Sequence, residues 1–105
     1  LNMPYIGTTA VLGNAGVYDS GAQRTLLYDN ITGTVFANQA GTLNVEQSFD
    51  GTNWDTNSST AVSASTGTSF NVTVVAPWYR LRYVNGATPQ TTFRLSARLA
   101  AAGKN

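Results

Sequence analysis

The sequence predicts an all-β fold, namely a single antiparallel β-sandwich or jelly-roll-like domain with extended termini. Apolar and polar residues alternate in several short runs, as they do in strands whose two faces meet different surroundings. Turn-forming Gly, Asn, Asp and Ser separate these runs at intervals of about 8 to 12 residues, a spacing typical of sandwiches and barrels. No segment sustains the apolar spacing of a helix, and 105 residues suffice for one domain.

Strands are expected along the whole chain, in one domain that covers residues 1–105. The Gly/Asn/Thr-rich start contains a short apolar run at 9–12 and is typical of an arm or a first edge strand. We expect 1–8 to be an N-terminal arm and 100–105 to be a C-terminal tail, which either reach a neighbouring subunit or are frayed, as small polar termini commonly are. Further strands are predicted at 17–18, 25–28, 32–37, 60–64 and 69–76.

The run at 42–49 alternates most cleanly. One of its faces is polar, and the other is largely apolar. The Asp-Gly-Thr-Asn segment at 50–53 is expected to reverse the chain, so that Trp54 begins the return strand. The inward residues of this region are predicted to be Leu43, Val45, Gln47 and Phe49, followed later by Phe70, Val72 and Val74.

The runs at 78–84 and 91–99 alternate on either side of Asn-Gly-Ala-Thr-Pro-Gln. Two such runs joined by a turn-rich segment predict an antiparallel hairpin. One face of this hairpin is apolar, and the other carries four of the six basic residues of the chain. We therefore expect one basic face that decides which partner the protein meets. Its members are Arg80, Arg82, Arg94 and Arg98, with Trp78 on the same face.

Composition argues against an enzyme. The chain has no histidine and no cysteine, so it lacks the usual general base near neutral pH, thiol nucleophiles, structural zinc ligands and disulfides. The five carboxylates lie in separate turns or strands, without the pairing that glycoside hydrolysis needs. No apolar run approaches the roughly 20 residues that span a bilayer. We predict no catalytic residue, no cofactor, no metal and no membrane partner.

Charged residues make up only 10% of the chain, which is typical of a surface covered in an assembly. We therefore expect a homo-oligomer or a component of a larger particle. All five acids precede residue 56, whereas all basic residues except Arg24 follow it. Strand pairing across this divide would place Glu46 against Arg80 or Arg82, and a docking face with acidic and basic edges is the alternative. Nucleic acid is not expected as a partner, because no lysine cluster is present.

The segment 50–55 is the best candidate for a local site. In a functional interpretation Asp50, Asn53 and Asp55 are oxygen ligands for calcium, or Trp54 is a platform for a sugar ring. In a structural interpretation Asp and Gly form the turn, Asn caps it, and the tryptophan packs on the sheet. The spacing departs from that of calcium loops, so a metal is not predicted.

Four motifs follow one another along the chain. Gly-Thr-Leu at 41–43 leads to Ser-Phe-Asp-Gly-Thr-Asn-Trp at 48–54, and Tyr-Arg-Leu-Arg-Tyr-Val-Asn-Gly at 79–86 precedes Phe-Arg-Leu at 93–95. This series resembles small virion proteins and virion-attached β domains of tailed bacteriophages. The resemblance covers residues 15–99 by organisation. It implies a structural or attachment role on a virion, and it brings no catalytic residues with it.

Two functions are compatible with these observations. The first is a non-enzymatic virion structural protein, such as a capsid decoration or cement protein or a head-fibre component, which binds the major capsid protein or other virion proteins. Its interface would comprise Arg80, Arg82, Arg94, Arg98, Trp78 and Glu46, with Trp78 either an anchor or a core residue. The alternative is a carbohydrate- or receptor-binding module on a phage tail or fibre. Its attachment to a host-surface glycan would use Trp54, Tyr5, Tyr18 or Trp78.

Overall fold

The computed structural model describes residues 5–101, and these form β-strands without any helix. The predicted all-β fold is therefore confirmed over the described part of the chain. Within that part, no helix is long and apolar enough to cross a membrane. The strands are β1 Tyr5–Thr8, β2 Val17–Asp19, β3 Gln23–Arg24, β4 Asn30–Ala37, β5 Gly41–Ser48, β6 Trp54–Val62, β7 Thr68–Thr73, β8 Trp78–Asn85 and β9 Phe93–Ala100.

The strands form two antiparallel sheets packed as a sandwich, as the sequence predicted. Sheet A has the order β1-β9-β4-β7. Sheet B has the order β2-β8-β5-β6, and the short β3 pairs with β8 beyond the end of β2. All pairings are antiparallel. Each sheet therefore turns one face to the other sheet and one face to the surroundings.

Alternate residues of both sheets fill the space between them. In β8 the inward side chains are Tyr79, Leu81 and Tyr83, which are almost fully buried. The ring of Tyr83 lies 4.9 Å from that of Phe93 in β9, between centroids, and so joins the two sheets. Burying a large apolar side chain contributes roughly 1.5–3 kcal/mol. The remaining core consists of Ile6, Ile31, Val35, Ala37, Leu43, Val45, Val62, Phe70, Leu95, Ala97 and Leu99.

The predicted hairpin between 78–84 and 91–99 is wrong, because β8 and β9 lie in different sheets. β8 pairs with β5, and β9 pairs with β4. The connection crosses from sheet B to sheet A. Two hydrogen bonds fix it: the Gly86 amide donates to the Ala40 carbonyl, and the Asn38 amide donates to the Thr92 carbonyl. The apolar faces of the two strands therefore meet across the core instead of lying side by side.

Two local predictions also fail. Residues 25–28 form a turn and not a strand, with Leu26 at a φ of 55° and the amide of Tyr28 bonded to the carbonyl of Thr25. Phe49 does not face inward, and its side chain is 75% exposed. The pairing of β5 with β6 shifts register between Gln47 and Ser48, which ends the alternation before Phe49.

The terminal segments are only partly described. Of the predicted arm 1–8, residues 5–8 form the edge strand β1, which pairs with β9 from Tyr5 opposite Arg98 to Thr8 opposite Leu95. Residues 1–4 lie outside the described residues. At the other end β9 includes Ala100, and residues 102–105 of the predicted tail also lie outside them.

Two buried amides fix segments that the sheets leave unpaired. The Gln47 amide donates to the Thr73 carbonyl at 2.9 Å and accepts from the Val75 amide at 2.8 Å. The Asn85 amide donates to the carbonyls of Gly13 at 2.7 Å and Thr88 at 3.0 Å. Because a buried polar group without a partner is costly, these bonds hold their loops against the sandwich.

Candidate interaction site

The four arginines of the predicted basic face are divided between the two sides of the molecule. Arg80 and Arg82 alternate with the buried residues of β8 and so lie on the outer face of sheet B. Arg94 and Arg98 alternate with those of β9 and lie on the outer face of sheet A. The prediction of one basic face is therefore wrong, because it depended on β8 and β9 being neighbours.

The outer face of sheet B nevertheless gathers most of the other predicted interface residues. Glu46 of β5 lies opposite Arg80 of β8, and Asn44 lies opposite Arg82. Trp78 lies opposite Ser48, next to the turn that leads to Trp54. We call this surface the tryptophan face. Its residues are Arg24, Glu46, Trp54, Trp78, Arg80 and Arg82.

Arg80 is the centre of the tryptophan face. Its Nε donates to Glu46 Oε1, and its Nη1 lies 3.9 Å from Asp19 Oδ2. Its guanidinium covers the Trp54 ring at 4.4 Å from the centroid. The predicted pairing of Glu46 across the strands is confirmed for Arg80. A charged hydrogen bond and a cation–π contact together hold the guanidinium and the indole in fixed positions.

Trp78 belongs to this outer face and not to the core cluster. The guanidinium of Arg24 lies 4.8 Å from the centroid of its ring. On the turn after β5, Gly51 approaches the indole so closely that a Cβ there would lie 3.2 Å from Trp78 Cε2. Gly51 also has a φ of 79°, which glycine adopts without strain. The indole is therefore half-buried between a guanidinium and a turn. Sequence reasoning gave Arg24 no role, since nothing near it in the chain marks its approach to Trp78.

The turn at 50–53 is organised by the carboxylate of Asp50. Its Oδ1 accepts from the amides of Asn53 at 2.7 Å and Thr52 at 2.8 Å, and from Ser48 Oγ at 2.9 Å. The Asn53 side chain donates to Oδ2 at 2.6 Å. The backbone bonds from Asn53 and Thr52, followed by the side-chain bonds, hold the pKa of the Asp50 carboxyl well below its ordinary value.

This arrangement bears on the predicted ligand set. Asp50 caps the turn, a role that the sequence predicted for Asn53. Both carboxylate oxygens of Asp50 already accept hydrogen bonds within the turn. Asp55 is the second residue of the edge strand β6, directly after Trp54, and is exposed. Within residues 5–101, no group of three or more carboxylates is placed to hold a metal ion. The hydrogen bonds of Asp50 therefore account for the geometry of the turn.

A row of amides and hydroxyls extends the tryptophan face toward the β6 edge. Asn44 Oδ1 accepts from Ser59 Oγ at 2.6 Å and from Asn57 Nδ2 at 3.1 Å. The Asn44 amide donates to the carbonyl of Arg82 at 3.2 Å. The alternation in β5 predicted that Asn44 and Glu46 share a face. Which β6 residues lie beside them could not be predicted, because that depends on the register between β5 and β6.

Exposed apolar side chains lie in loops beside the tryptophan face. Leu27 is 97% exposed on the turn after β3, and Phe49 is exposed on the turn after β5. Val75 lies in the loop before β8, where its amide bonds to Gln47 of β5. The amide of Thr25 bonds to the carbonyl of Pro77 in that same loop. We call this cluster the apolar end. Its residues are Leu26, Leu27, Phe49 and Val75.

The chain is similar to parts of longer known proteins. Residues 1–100 match the family described as the N-terminal domain of the uncharacterised protein YqxG. The chain is 35% identical over 98 residues to the uncharacterised protein YqxG of Bacillus subtilis (strain 168), covering 90% of this chain and 33% of that protein.

A solved structure shows the same architecture. The crystal structure of PBSX exported protein XepA superposes with a TM-score of 0.87 at 29% sequence identity, over 95% of this chain and 38% of that one. The chain thus spans between about a third and two fifths of the length of these two proteins. Because the family match includes nearly every residue, the chain belongs to the YqxG N-terminal domain family.

Proposed function

We propose that this domain is a non-enzymatic structural module of a phage virion, of the capsid-decoration or head-fibre kind. The similarity to PBSX exported protein XepA supports this proposal. The motif resemblance to virion β domains supports it independently. The proposed partners are other virion proteins, the major capsid protein first among them.

The observation that carries the proposal is the tryptophan face. Tryptophan and arginine are the residues most enriched at the energetic centres of protein interfaces, where they are held rigidly and surrounded by polar groups. Here Trp54 and Trp78 are each held by an arginine, on a regular sheet, beside a row of amides and hydroxyls. Little ordering of side chains would accompany docking on such a surface, so less entropy is lost.

Co-sedimentation with phage particles that lack the protein tests this proposal. Arg82→Glu places a negative charge on the tryptophan face without breaking the Arg80–Glu46 pair, and we expect it to weaken attachment about tenfold or more. Arg94→Glu, on the outer face of the other sheet, is the matched control and should attach like the wild type. Equal attachment of both variants would show that the tryptophan face is not the contact surface.

We further propose that the domain assembles with copies of itself, through the apolar end. Monomeric soluble proteins rarely expose several large apolar side chains together. Light scattering should show an oligomer for the wild type and a smaller species for a Leu27→Ser, Phe49→Ser double variant. A monomeric wild type at tens of micromolar would overturn this part of the proposal.

The glycan-binding alternative through Trp54 is less well supported. Arg80 covers one face of that indole, and the side chain is only partly exposed. A sugar ring stacks on an open aromatic face, so the internal cation–π contact competes with such a ligand. Binding of host cells that is lost with Trp54→Ala would restore this alternative.

A further inference from the structure

A depression of about 360 Å³ lies on the outer face of sheet A, on the opposite side of the molecule from the tryptophan face. It runs across β1, β9, β4 and β7, so regular strands hold all of its walls. Its polar lining consists of Tyr5, Thr32, Thr34, Ser69, Ser96 and Arg98.

The floor of the depression is low because the residues there are small. The backbone at Gly33 and Ala97 forms part of it. Facing outward around that floor are the short hydroxyl side chains of β4, β7 and β9. Hydroxyls both donate and accept hydrogen bonds, and they match a ligand that presents hydroxyls of its own.

One wall is an aromatic ring held at the sheet edge. Tyr5 is 66% exposed, and its ring lies over Gly7, where a Cβ would approach Tyr5 Cζ to 2.8 Å. Its hydroxyl lies 3.4 Å from Ser96 Oγ. Glycine at position 7 thus leaves room for the ring to fold back along the strand toward the depression.

Beside Tyr5, on the neighbouring strand β9, is a cation. Arg98 is exposed and makes no ion pair or hydrogen bond with the residues that the structure describes. No carboxylate lines the depression. By contrast, the guanidinium of Arg94, four residues earlier on the same face, lies 4.5 Å from the centroid of the Phe36 ring. A planar guanidinium without a partner favours an anionic group, which it binds through two parallel hydrogen bonds.

We propose that this depression binds an acidic sugar unit, a pyranose that carries a carboxylate or a phosphate. The apolar face of the ring would pack on Tyr5, its hydroxyls would bond to the Ser and Thr side chains, and its anionic group would bind Arg98. This site goes beyond the proposed virion role and uses none of the tryptophan face, so either proposal can fail without the other.

Titration of the isotope-labelled domain, followed by amide chemical shifts, tests the proposal. The probes are a glucuronate-containing tetrasaccharide, glucose 1-phosphate and neutral maltotetraose. We expect saturable shifts confined to the depression with the acidic probes, and weaker binding of maltotetraose. The two acidic probes distinguish carboxylate from phosphate recognition. If neither acidic probe gives saturable shifts up to roughly 10 mM, the proposal is overturned. A weaker affinity would correspond to a binding free energy of less than about 3 kcal/mol.

Three variants complete the test. Arg98→Gln should weaken binding of the acidic probe about tenfold or more and leave the neutral probe unchanged, because only the charge interaction is lost. Arg94→Gln is the matched control and should bind like the wild type. Gly7→Ala should weaken both kinds of probe by displacing the Tyr5 ring, with thermal melting as the check on folding. Equal effects of Arg98→Gln and Arg94→Gln would refute the assigned site.

Discussion

Gly33 is the position where one added methyl group should do most damage. It lies in the middle of β4, opposite Ala97 of β9 and Phe70 of β7. A Cβ at position 33 would overlap the carbonyl oxygen of Ser96, lie 2.8 Å from the Cα of Ala97 and lie 2.9 Å from Phe70 Cζ. Two of these three atoms belong to the backbone, so they cannot move aside as a flexible side chain would.

The expected magnitude follows from that geometry. An extra methylene in a well-packed core costs about 1–3 kcal/mol when side chains and backbone can adjust. Here the pairing of β4 with β9 must open locally, so we expect Gly33→Ala to reduce the free energy of unfolding by about 3 kcal/mol or more. For a domain of this size each kcal/mol lowers the melting temperature by about 4–8 °C. The melting temperature should therefore fall by roughly 12 °C or more.

Thermal melts followed by far-ultraviolet circular dichroism measure this effect. Gly67→Ala is the matched control, because no atom lies within 4 Å of its Cβ position and its φ is not in the left-handed region. We expect that control to change the free energy by no more than about 1 kcal/mol, in the stabilising direction. If Gly33→Ala melts within a few degrees of Gly67→Ala, the close approach of β4 and β9 at this point is refuted.

Four further predictions concern polar and ionisable groups. A double-mutant cycle with Glu46→Gln and Arg80→Gln should give a coupling energy of about 1–2 kcal/mol, since the pair is only partly exposed, and a coupling below about 0.5 kcal/mol would contradict the pairing. The depressed pKa of Asp50 means that its contribution to stability is present above the unfolded value of 3.8 and is lost as the pH falls below it. Urea titrations should therefore show a smaller loss of stability below pH 3.8 for Asp50→Asn than for the wild type, and parallel profiles would refute the capping role. Burial, with a smaller effect of Tyr18, raises the pKa of Tyr79 to about 12, so its stabilising contribution is complete below 10.0 and is lost as the pH rises toward 12. The difference in tyrosinate absorbance between the wild type and Tyr79→Phe should show the ionisation of Tyr79 near pH 12, and ionisation of this residue in the folded state near pH 10.0 would contradict its burial. Asn85→Ala should cost about 1–3 kcal/mol in urea unfolding, because the carbonyls of the 12–13 and 88 segments lose their buried donor, and a loss below about 0.5 kcal/mol would show that water replaces the amide.

The candidate site could be predicted from the sequence only where the interactions are local. The Asp-Gly segment at 50–53 forms the expected turn because its hydrogen bonds join residues at most three positions apart. The Glu46–Arg80 pair, 34 residues apart in sequence, is the exception: the charge division along the chain predicted Glu46 opposite Arg80 or Arg82, and the structure pairs it with Arg80. The contact of Arg24 with Trp78 and the depression beside Tyr5 were not predictable, because each depends on strands distant in sequence that become neighbours.

The sequence by itself determined which face of β5, β8 and β9 is buried. Apolar alternation in β5, β8 and β9 placed Leu43, Leu81 and Leu95 inward, and all three are fully buried. This pattern is informative because burying one face of a strand is a local requirement, imposed at every second residue.

Only the tertiary structure decided which strands are neighbours. The alternation of β8 and β9 suits both a hairpin and two strands in opposite sheets, since each arrangement buries the same apolar faces. The chain between them crosses to the second sheet, where β9 completes its hydrogen bonds with β4 and β1. That choice depends on pairing partners more than 50 residues away in sequence, and it moves Arg94 and Arg98 to the far side of the molecule from Arg80 and Arg82.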